Sequence, residues 1–252
     1  MIKEFKQDKL LVRTYENRAI MGAEAAREAI AAIQALLQVQ QEVNIIFAAA
    51  PSQNEFLQAL SQAPVHWSRV NAFHMDEYID LPADAPQGFG NFLRNALLNK
   101  VPFRSVHYLQ GNHPDIAAEC NRYSELLRNH PVDITCMGIG ENGHLAFNDP
   151  PVADFNDPVL VKKVQLDEAC RLQQVHDGCF KQLTEVPTHA ITLTIPALMA
   201  ASDIFCMVPG PTKATAVYNT IHHTIDESVP ASILRRHEHA ILFTDNLSAG
   251  ML

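Results

Sequence analysis

The sequence predicts an α/β protein of three layers, with a mainly parallel central sheet covered by helices on both faces. Three observations carry that expectation. Short, continuous apolar runs such as Val43–Ala49, Asp203–Val208 and Ala240–Thr244 alternate with helical patterns along the chain. Strands buried on both faces read as continuous apolar runs, whereas half-exposed strands alternate. No low-complexity linker and no internal repeat divides the 252 residues,. The polar stretches Ala49–Ser52, Asp76, Gly140–Asp149 and Gly210–Lys213 each follow a strand directly. In a parallel α/β sheet such ends converge at a switch point, where ligands bind. Residues 1–252 are therefore expected to form one Rossmann-like domain.

Taken in order, Leu10–Tyr15 reads as the first strand. Glu16 to about Val39 is rich in Ala, Leu, Gln and Glu at helical spacing,. Val43–Ala49 is a strongly apolar strand, and Pro51-Ser52-Gln53-Asn54 opens a helix to about Gln62, with Ser52 as its expected cap,. Trp67–His74 leads as a strand into Asp76. Leu81–Gly90, with two prolines and two glycines, reads as a flap,. A helix over Asn91–Leu98, a strand over Val106–Leu109 and a helix over Asp115–Arg128 follow. Strands are expected at Val132–Cys136, Val159–Val164, Thr188–Thr194, Asp203–Val208 and Ala240–Thr244. Between the last three lie helices near Ala197–Ala200, over Ala214–Ile221 and over Pro230–Leu234.

The formal charge of −9 disfavours a binder of nucleic-acid backbone, which needs a basic surface,. No stretch approaches membrane-spanning length and the N-terminus has no signal-like apolar run, so no membrane partner is expected,. The five cysteines are odd in number, widely spaced and without a C-x-x-C pair. That pattern fits a reducing, cytoplasmic compartment.

The chain's chemistry concentrates in Met137-Gly138-Ile139-Gly140-Glu141-Asn142-Gly143-His144-Leu145-Ala146-Phe147-Asn148-Asp149-Pro150. Glycines clustered at a strand end permit close backbone approach to a ligand. Asn142, His144 and Asp149 follow, and an imidazole oriented by neighbours is a proton-transfer device. Asp76 follows a strand within a second block, Phe73-His74-Met75-Asp76-Glu77-Tyr78; a carboxylate beside a carbonyl compound can move a proton between adjacent carbons,. The same Asp76-Glu77 pair is also compatible with a helix cap or a solvated acidic face. His222-His223 and His237-x-His239 lack a Cys or carboxylate to complete a tetrahedral set, so no metal is expected,.

These two blocks resemble the signature of the glucosamine-6-phosphate deaminase/isomerase family, and the resemblance extends over nearly the whole chain. It implies that Asp76 is the base carrying a proton between C2 and C1 of an open-chain sugar. It implies that His144 opens the sugar ring with Asn142 and Asp149, where carboxylates are more usual. Asp149 stands for a glutamate, with a shorter arm. Asn142 stands for an aspartate and can fix the imidazole tautomer without adding charge. For binding, the resemblance points to Ala49, Ser52, Glu77, Gly140, Lys213 and Arg171. The family's Thr-Gly-Gly/Ser-Thr-Pro phosphate loop is replaced by Ala49-Ala50-Pro51-Ser52-Gln53. Lys213 matches the phosphate lysine, and Arg171 is the arginine nearest the place where one usually completes the pocket.

The expected substrate is thus a phosphorylated amino sugar, most simply glucosamine 6-phosphate, converted to fructose 6-phosphate and ammonia without metal or redox cofactor. Homo-oligomers are common in the family. A 6-phosphogluconolactonase is the rival enzyme; its block usually continues Gly-His-Thr-Ala-Ser-Leu-Phe-Pro, where this chain has Gly-His-Leu-Ala-Phe-Asn-Asp-Pro. A non-catalytic sugar-phosphate sensor is the third reading, motivated by the altered loop and Asn142.

Overall fold

The computed structural model describes residues 1–252. Its strands are β1 (Lys3–Gln7), β2 (Leu10–Tyr15), β3 (Val43–Phe47), β4 (Val70–His74), β5 (Asp76–Tyr78), β6 (Ser105–His107), β7 (Ile134–Met137), β8 (Val161–Gln165), β9 (His189–Leu193), β10 (Asp203–Val208) and β11 (Ala240–Asp245). The helices are α1 (Arg18–Val39), α2 (Asn54–Ser61), α3 (Phe89–Leu93), α4 (Ile116–Asn129), α5 (Glu168–His176), α6 (Ile195–Met199) and α7 (Ala214–His222).

Eight strands make the main sheet, in the order β1-β2-β11-β10-β7-β3-β4-β6. Every neighbour pair in it is parallel except the β1-β2 hairpin at one edge. Both faces are covered, and the side chains show it residue by residue. Ile45 and Phe47 of β3 join a core with Met21, Ala25 and Ile33 of α1 and Phe56 and Leu60 of α2. Ile46 points the other way, into a core with Tyr123 and Leu127 of α4, Leu198 of α6 and Val217 and Ile221 of α7. The mainly parallel, three-layer architecture is as the sequence predicts, because apolar runs with no polar alternation need cover on both sides.

A second, antiparallel sheet, β5-β9-β8, stands beside the carboxyl ends of the main strands. It fixes the position of Asp76. The residue is neither a helix cap nor part of a solvated pair: it begins β5, opposite Thr192 of β9. β9 also holds the Gly140–Pro150 loop. Thr192 Oγ1 accepts from the Phe147 amide at 3.1 Å, and the Asn148 carboxamide donates to the Leu193 carbonyl at 2.8 Å.

Three local features depart from the sequence expectation. β1 is an additional strand; its exposed, charged residues lack an apolar run, and such an edge discourages sheet-to-sheet association,. α5 is an additional helix, capped by Asp167, whose carboxylate accepts from the Ala169 amide. Ser52 does not cap α2: Pro51–Gln53 form a 3₁₀ turn with no side-chain cap, and Ser52 Oγ instead accepts from Gln53 Nε2 at 3.0 Å. The flap segment is tied at both ends. Asn91 Nδ2 donates to the Ala83 and Ala85 carbonyls, and the Glu77 carboxylate accepts from the Phe89 and Gly90 amides.

Candidate active site

The ends of β10, β7, β3 and β4 are adjacent in the sheet, so the loops after them share one cleft of about 240 Å³. The strand order turns between β7 and β3, which is the switch point of this sheet,. Ala49, Ser52, Asp76, Gly140, His144 and Lys213 all line the cleft. Asn142 and Asp149 stand behind His144 and are bonded to it.

The His144 ring is fixed from two sides. Its Nδ1 lies 2.7 Å from Asn142 Oδ1 and 3.0 Å from Asp149 Oδ1. Both neighbours accept, so neutral His144 carries its proton on Nδ1 and turns the Nε2 lone pair to the cleft. Asn142 Nδ2 donates to Asp149 Oδ1 at 2.8 Å, closing the triangle. Burial pushes the Asp149 carboxyl up, but facing His144, with hydrogen bonds from His144, Asn142 and Cys170, more than reverses this and holds it below its ordinary range. The glycine at 140 is required by space. A Cβ there would stand 2.1–2.3 Å from the atoms of the His144 ring. The loop also holds Gly143 at φ 86° and Ala146 at φ 50°, a left-handed conformation that is costly for alanine,.

Asp76 is buried, at 6% exposure, and faces the same cleft. Burial pushes its carboxyl well above the ordinary value, and the neighbouring Glu77 charge adds to the effect. A carboxylate with a raised pKa is a stronger base than one in water and releases its proton less readily.

Lys213 is 5% exposed, yet its ammonium makes no ion pair and no hydrogen bond within the protein. Burial lowers its pKa, while Asp177, Glu141 and Cys170 pull it back up. Gly210, at φ 96°, makes the turn that brings Lys213 inward.

Two residues of the expected set lie elsewhere. Arg171 does not reach the cleft; it points from α5 to the carbonyls of Leu183 and Val186, both at 2.8 Å, and so ties the following segment to the helix. Glu77 alternates with Asp76 along β5 and faces away, as strand neighbours must. Its carboxylate takes the amides of Tyr78, Phe89 and Gly90, and it lines a separate cavity with Arg94 and Tyr108. In their place the cleft receives Arg18, Gln53, Gln173, Gln174 and Asp177. Arg18 carried no local signal, being the first residue of a long helix; its guanidinium grips Glu55 at 2.7 Å and the Pro51 carbonyl at 2.8 Å. The other newcomers, Gln53 apart, come from α5 and its C-terminus, the helix missing from the sequence expectation.

Three of the four histidines in the two C-terminal pairs are engaged otherwise. His237 Nε2 meets the Ala201 carbonyl, His223 Nδ1 meets the Thr224 carbonyl, and His222 packs on Tyr218. The donor set nearest to metal-ligand spacing is His144, Asp149 and Cys170, all buried, with ligand atoms within 4.8 Å of one another. Its imidazole and carboxylate are the pair already described.

The carboxyl ends of this α/β sheet thus enclose an oriented imidazole, a buried carboxylate and a buried lysine, the parts of an enzyme's acid–base site,. The chain belongs to the family Glucosamine-6-phosphate isomerases/6-phosphogluconolactonase, matched over residues 16–243. It is 35% identical over 212 residues to a glucosamine-6-phosphate deaminase of Listeria welshimeri, covering 84% of this chain and 88% of that protein. It is 32% identical over 205 residues to one of Streptococcus pyogenes, covering 81% and 86%. Among solved structures, a monomeric glucosamine-6-phosphate deaminase superposes with a TM-score of 0.86 at 24% identity, covering 96% of this chain and 99% of that one. The 6-phosphogluconolactonase of Trypanosoma brucei superposes at 0.78 with 18% identity, covering 99% and 100%. At these identities the two superpositions speak to the fold. No helix is long and apolar enough to cross a membrane.

Proposed function

We propose that the chain, acting as a single domain in the cytoplasm, deaminates and isomerises an amino-sugar phosphate, with glucosamine 6-phosphate as substrate. One observation carries the reading: a tautomer-locked imidazole and a separate, strongly basic carboxylate face one cleft that also holds a buried, unpaired lysine. In this reading His144 Nε2 takes the proton of the anomeric hydroxyl and returns it to the ring oxygen, opening the sugar. Asp149 stabilises the imidazolium formed in between, and Asn142 keeps the ring aimed. Asp76 then removes the C2 proton and delivers it to C1. The electron pair from the C2–H bond makes the enol, its oxygen taking the proton that the C2 ammonium gives up, and C1 protonation by Asp76 leaves a C2 iminium that water converts to the ketone with loss of ammonia. Lys213 receives the phosphate.

A lactonase needs an activated water but no second base beside the sugar C2, so the placement of Asp76 favours the deaminase. The test is proton NMR in deuterated water with glucosamine 6-phosphate, following C2 exchange and ammonia release together, with 6-phosphogluconolactone hydrolysis assayed in parallel. Exchange with ammonia release is expected. Lactone hydrolysis without either would overturn the assignment.

A further inference from the structure

The Lys213 end of the cleft has a composition that an ordinary phosphate site would not have. From α5 and its C-terminal cap, where a second cation would be expected, come two carboxamides and a carboxylate: Gln173, Gln174 and Asp177. Arg18, the other cation on the wall, is already bound to Glu55 through two nitrogens. Lys213 and Asp177 therefore leave this end with little net charge. A phosphate dianion there would face one cation and one carboxylate at once.

Two polar groups on this wall have no protein partner. The ammonium of Lys213, a residue 5% exposed, is one. The carboxamide of Gln174, a residue 7% exposed, is the other. Their side chains are packed in the protein while their polar ends open on the cleft, so the hydrogen bonds they can make remain to be made with a ligand. Asp177 itself is positioned: Gln173 Nε2 donates to its Oδ2 at 3.3 Å, while Gln173 Oε1 holds the Glu141 amide at 2.7 Å. Lysine offers only donors and an aspartate carboxylate only acceptors. The group that satisfies both carries an anionic oxygen and a hydrogen.

We propose that Asp177, with Gln174, makes this subsite selective for the singly protonated phosphate monoester, so that Lys213 binds the anionic oxygen and Asp177 accepts from the P–OH. The proposal rests on the sugar-phosphate reading given above and adds the ionisation state that the site selects. A site built to accept from a hydroxyl rejects an analogue lacking it, because its own group is left unpaired. The charged and titratable groups facing Asp177 and Lys213 are Glu141, Cys170, Arg18 and His144, with His176 paired to Glu141 at the rim. All are shared by wild type and an Asp177 variant, so a difference between the two reports on position 177.

The probe is glucitol 6-phosphate, which has no amine and no carbonyl, so its phosphate alone titrates, with a second pKa of about 6. Its dissociation constant is measured by calorimetry from about pH 6 to about pH 8. Wild type should weaken about tenfold per pH unit above the phosphate pKa, as the monoanion disappears. Asp177→Asn, whose amide can donate to a dianion, should flatten that slope and bind more tightly than wild type at the alkaline end. A second arm needs no variant: glucitol 6-sulfate, ionised and without a hydrogen, should bind wild type at least about tenfold more weakly than the phosphate near pH 6. Equal slopes in the two proteins, or equal affinity for sulfate and phosphate, overturn the proposal. Ammonia release from glucosamine 6-phosphate, measured on the same preparation, separates the two claims. Turnover with a flat slope sinks only the role of Asp177. A steep slope without turnover sinks only the deaminase. No binding of either probe sinks both.

Discussion

The two ends of the cleft are built on opposite plans. At the Gly140–Asp149 end the groups around the imidazole are bonded to one another: imidazole on amide and carboxylate, amide on carboxylate, loop on β9, with Asp149 Oδ2 and Asn148 Oδ1 left buried and unpaired behind them. At the Lys213 end an ammonium and a carboxamide on packed side chains open on the cleft with no protein partner. A group that must hold one orientation through a proton transfer gains from fixed neighbours. A group that recognises a ligand does better with its hydrogen bonds still to be made, since they then appear as affinity. The difference predicts that damage at the first end lowers turnover and damage at the second raises KM.

The largest expected effect is on neither wall but between them. Asp76→Asn removes the buried base and should lower C2 exchange by about 10²–10⁴-fold. The substitution is nearly isosteric, so the fold should persist by circular dichroism. Near-normal exchange in the folded variant would remove Asp76 from the mechanism.

Gly140→Ala comes next and tests the crowded end directly. The new methyl cannot share space with the His144 ring, which must shift. A displacement of about 1 Å in a catalytic group costs about 10²-fold in rate, so kcat should fall with KM little changed. A variant with full kcat would show that the imidazole has room to move and that the tight packing has no catalytic purpose.

Lys213→Ala should act in the opposite way. Losing a charge-assisted hydrogen bond costs about 1.5–3 kcal/mol, which is about ten- to 150-fold in KM for the phosphorylated sugar, with a small change in kcat. The dephosphorylated sugar should lose almost nothing. Equal losses for both ligands would mean that the unpaired ammonium does not read phosphate, and the contrast between the two ends would collapse.

How much of this was legible in the sequence follows the same division. The parallel sheet, its covering helices and the convergence of Asp76, His144, Asp149 and Lys213 follow from apolar runs and from residues lying at strand ends, both of which are local patterns. Asn142 reads in the sequence as an amide able to fix the imidazole tautomer without adding charge. The structure shows a residue that accepts from His144 and donates to Asp149 together, which a carboxylate cannot do. Glu77 and Arg171 are sited by facts outside local pattern: a strand alternation that begins at Asp76, and two carbonyls more than ten residues beyond the arginine. Gln174 of α5 and Asp177 at its C-terminal cap reach the cleft only because the helix packs beside it, and a mixed polar helix carries no sign of which wall it will line.

The smallest effect on turnover is expected behind the Asp76 wall, at His74. This side chain is 1% exposed, and both ring nitrogens lack a hydrogen-bond partner. Burial, with a further push from the Arg94 charge, lowers its pKa to about 3. The unfolded chain binds a proton there near the ordinary value of about 6.5. Between those two values the unfolded state holds more protons than the folded one, so stability falls as pH falls. One such group costs about 1.4 kcal/mol per pH unit below its unfolded pKa, or about 2 kcal/mol between neutral pH and about pH 5. Asp149 titrates below its ordinary range and keeps its contribution until more acid conditions, so the two groups are separable by window. His74→Asn, which cannot take up the proton, should lose less stability with acid than wild type over that interval, the opposite contribution of the raised Asp76 being common to both proteins, while leaving kcat at neutral pH close to wild type,. If the variant loses stability with acid as steeply as wild type, His74 is not the titrating group. If its kcat falls with intact folding, the wall behind Asp76 helps to set the base, and the division between a fixed catalytic end and an open binding end needs a third region.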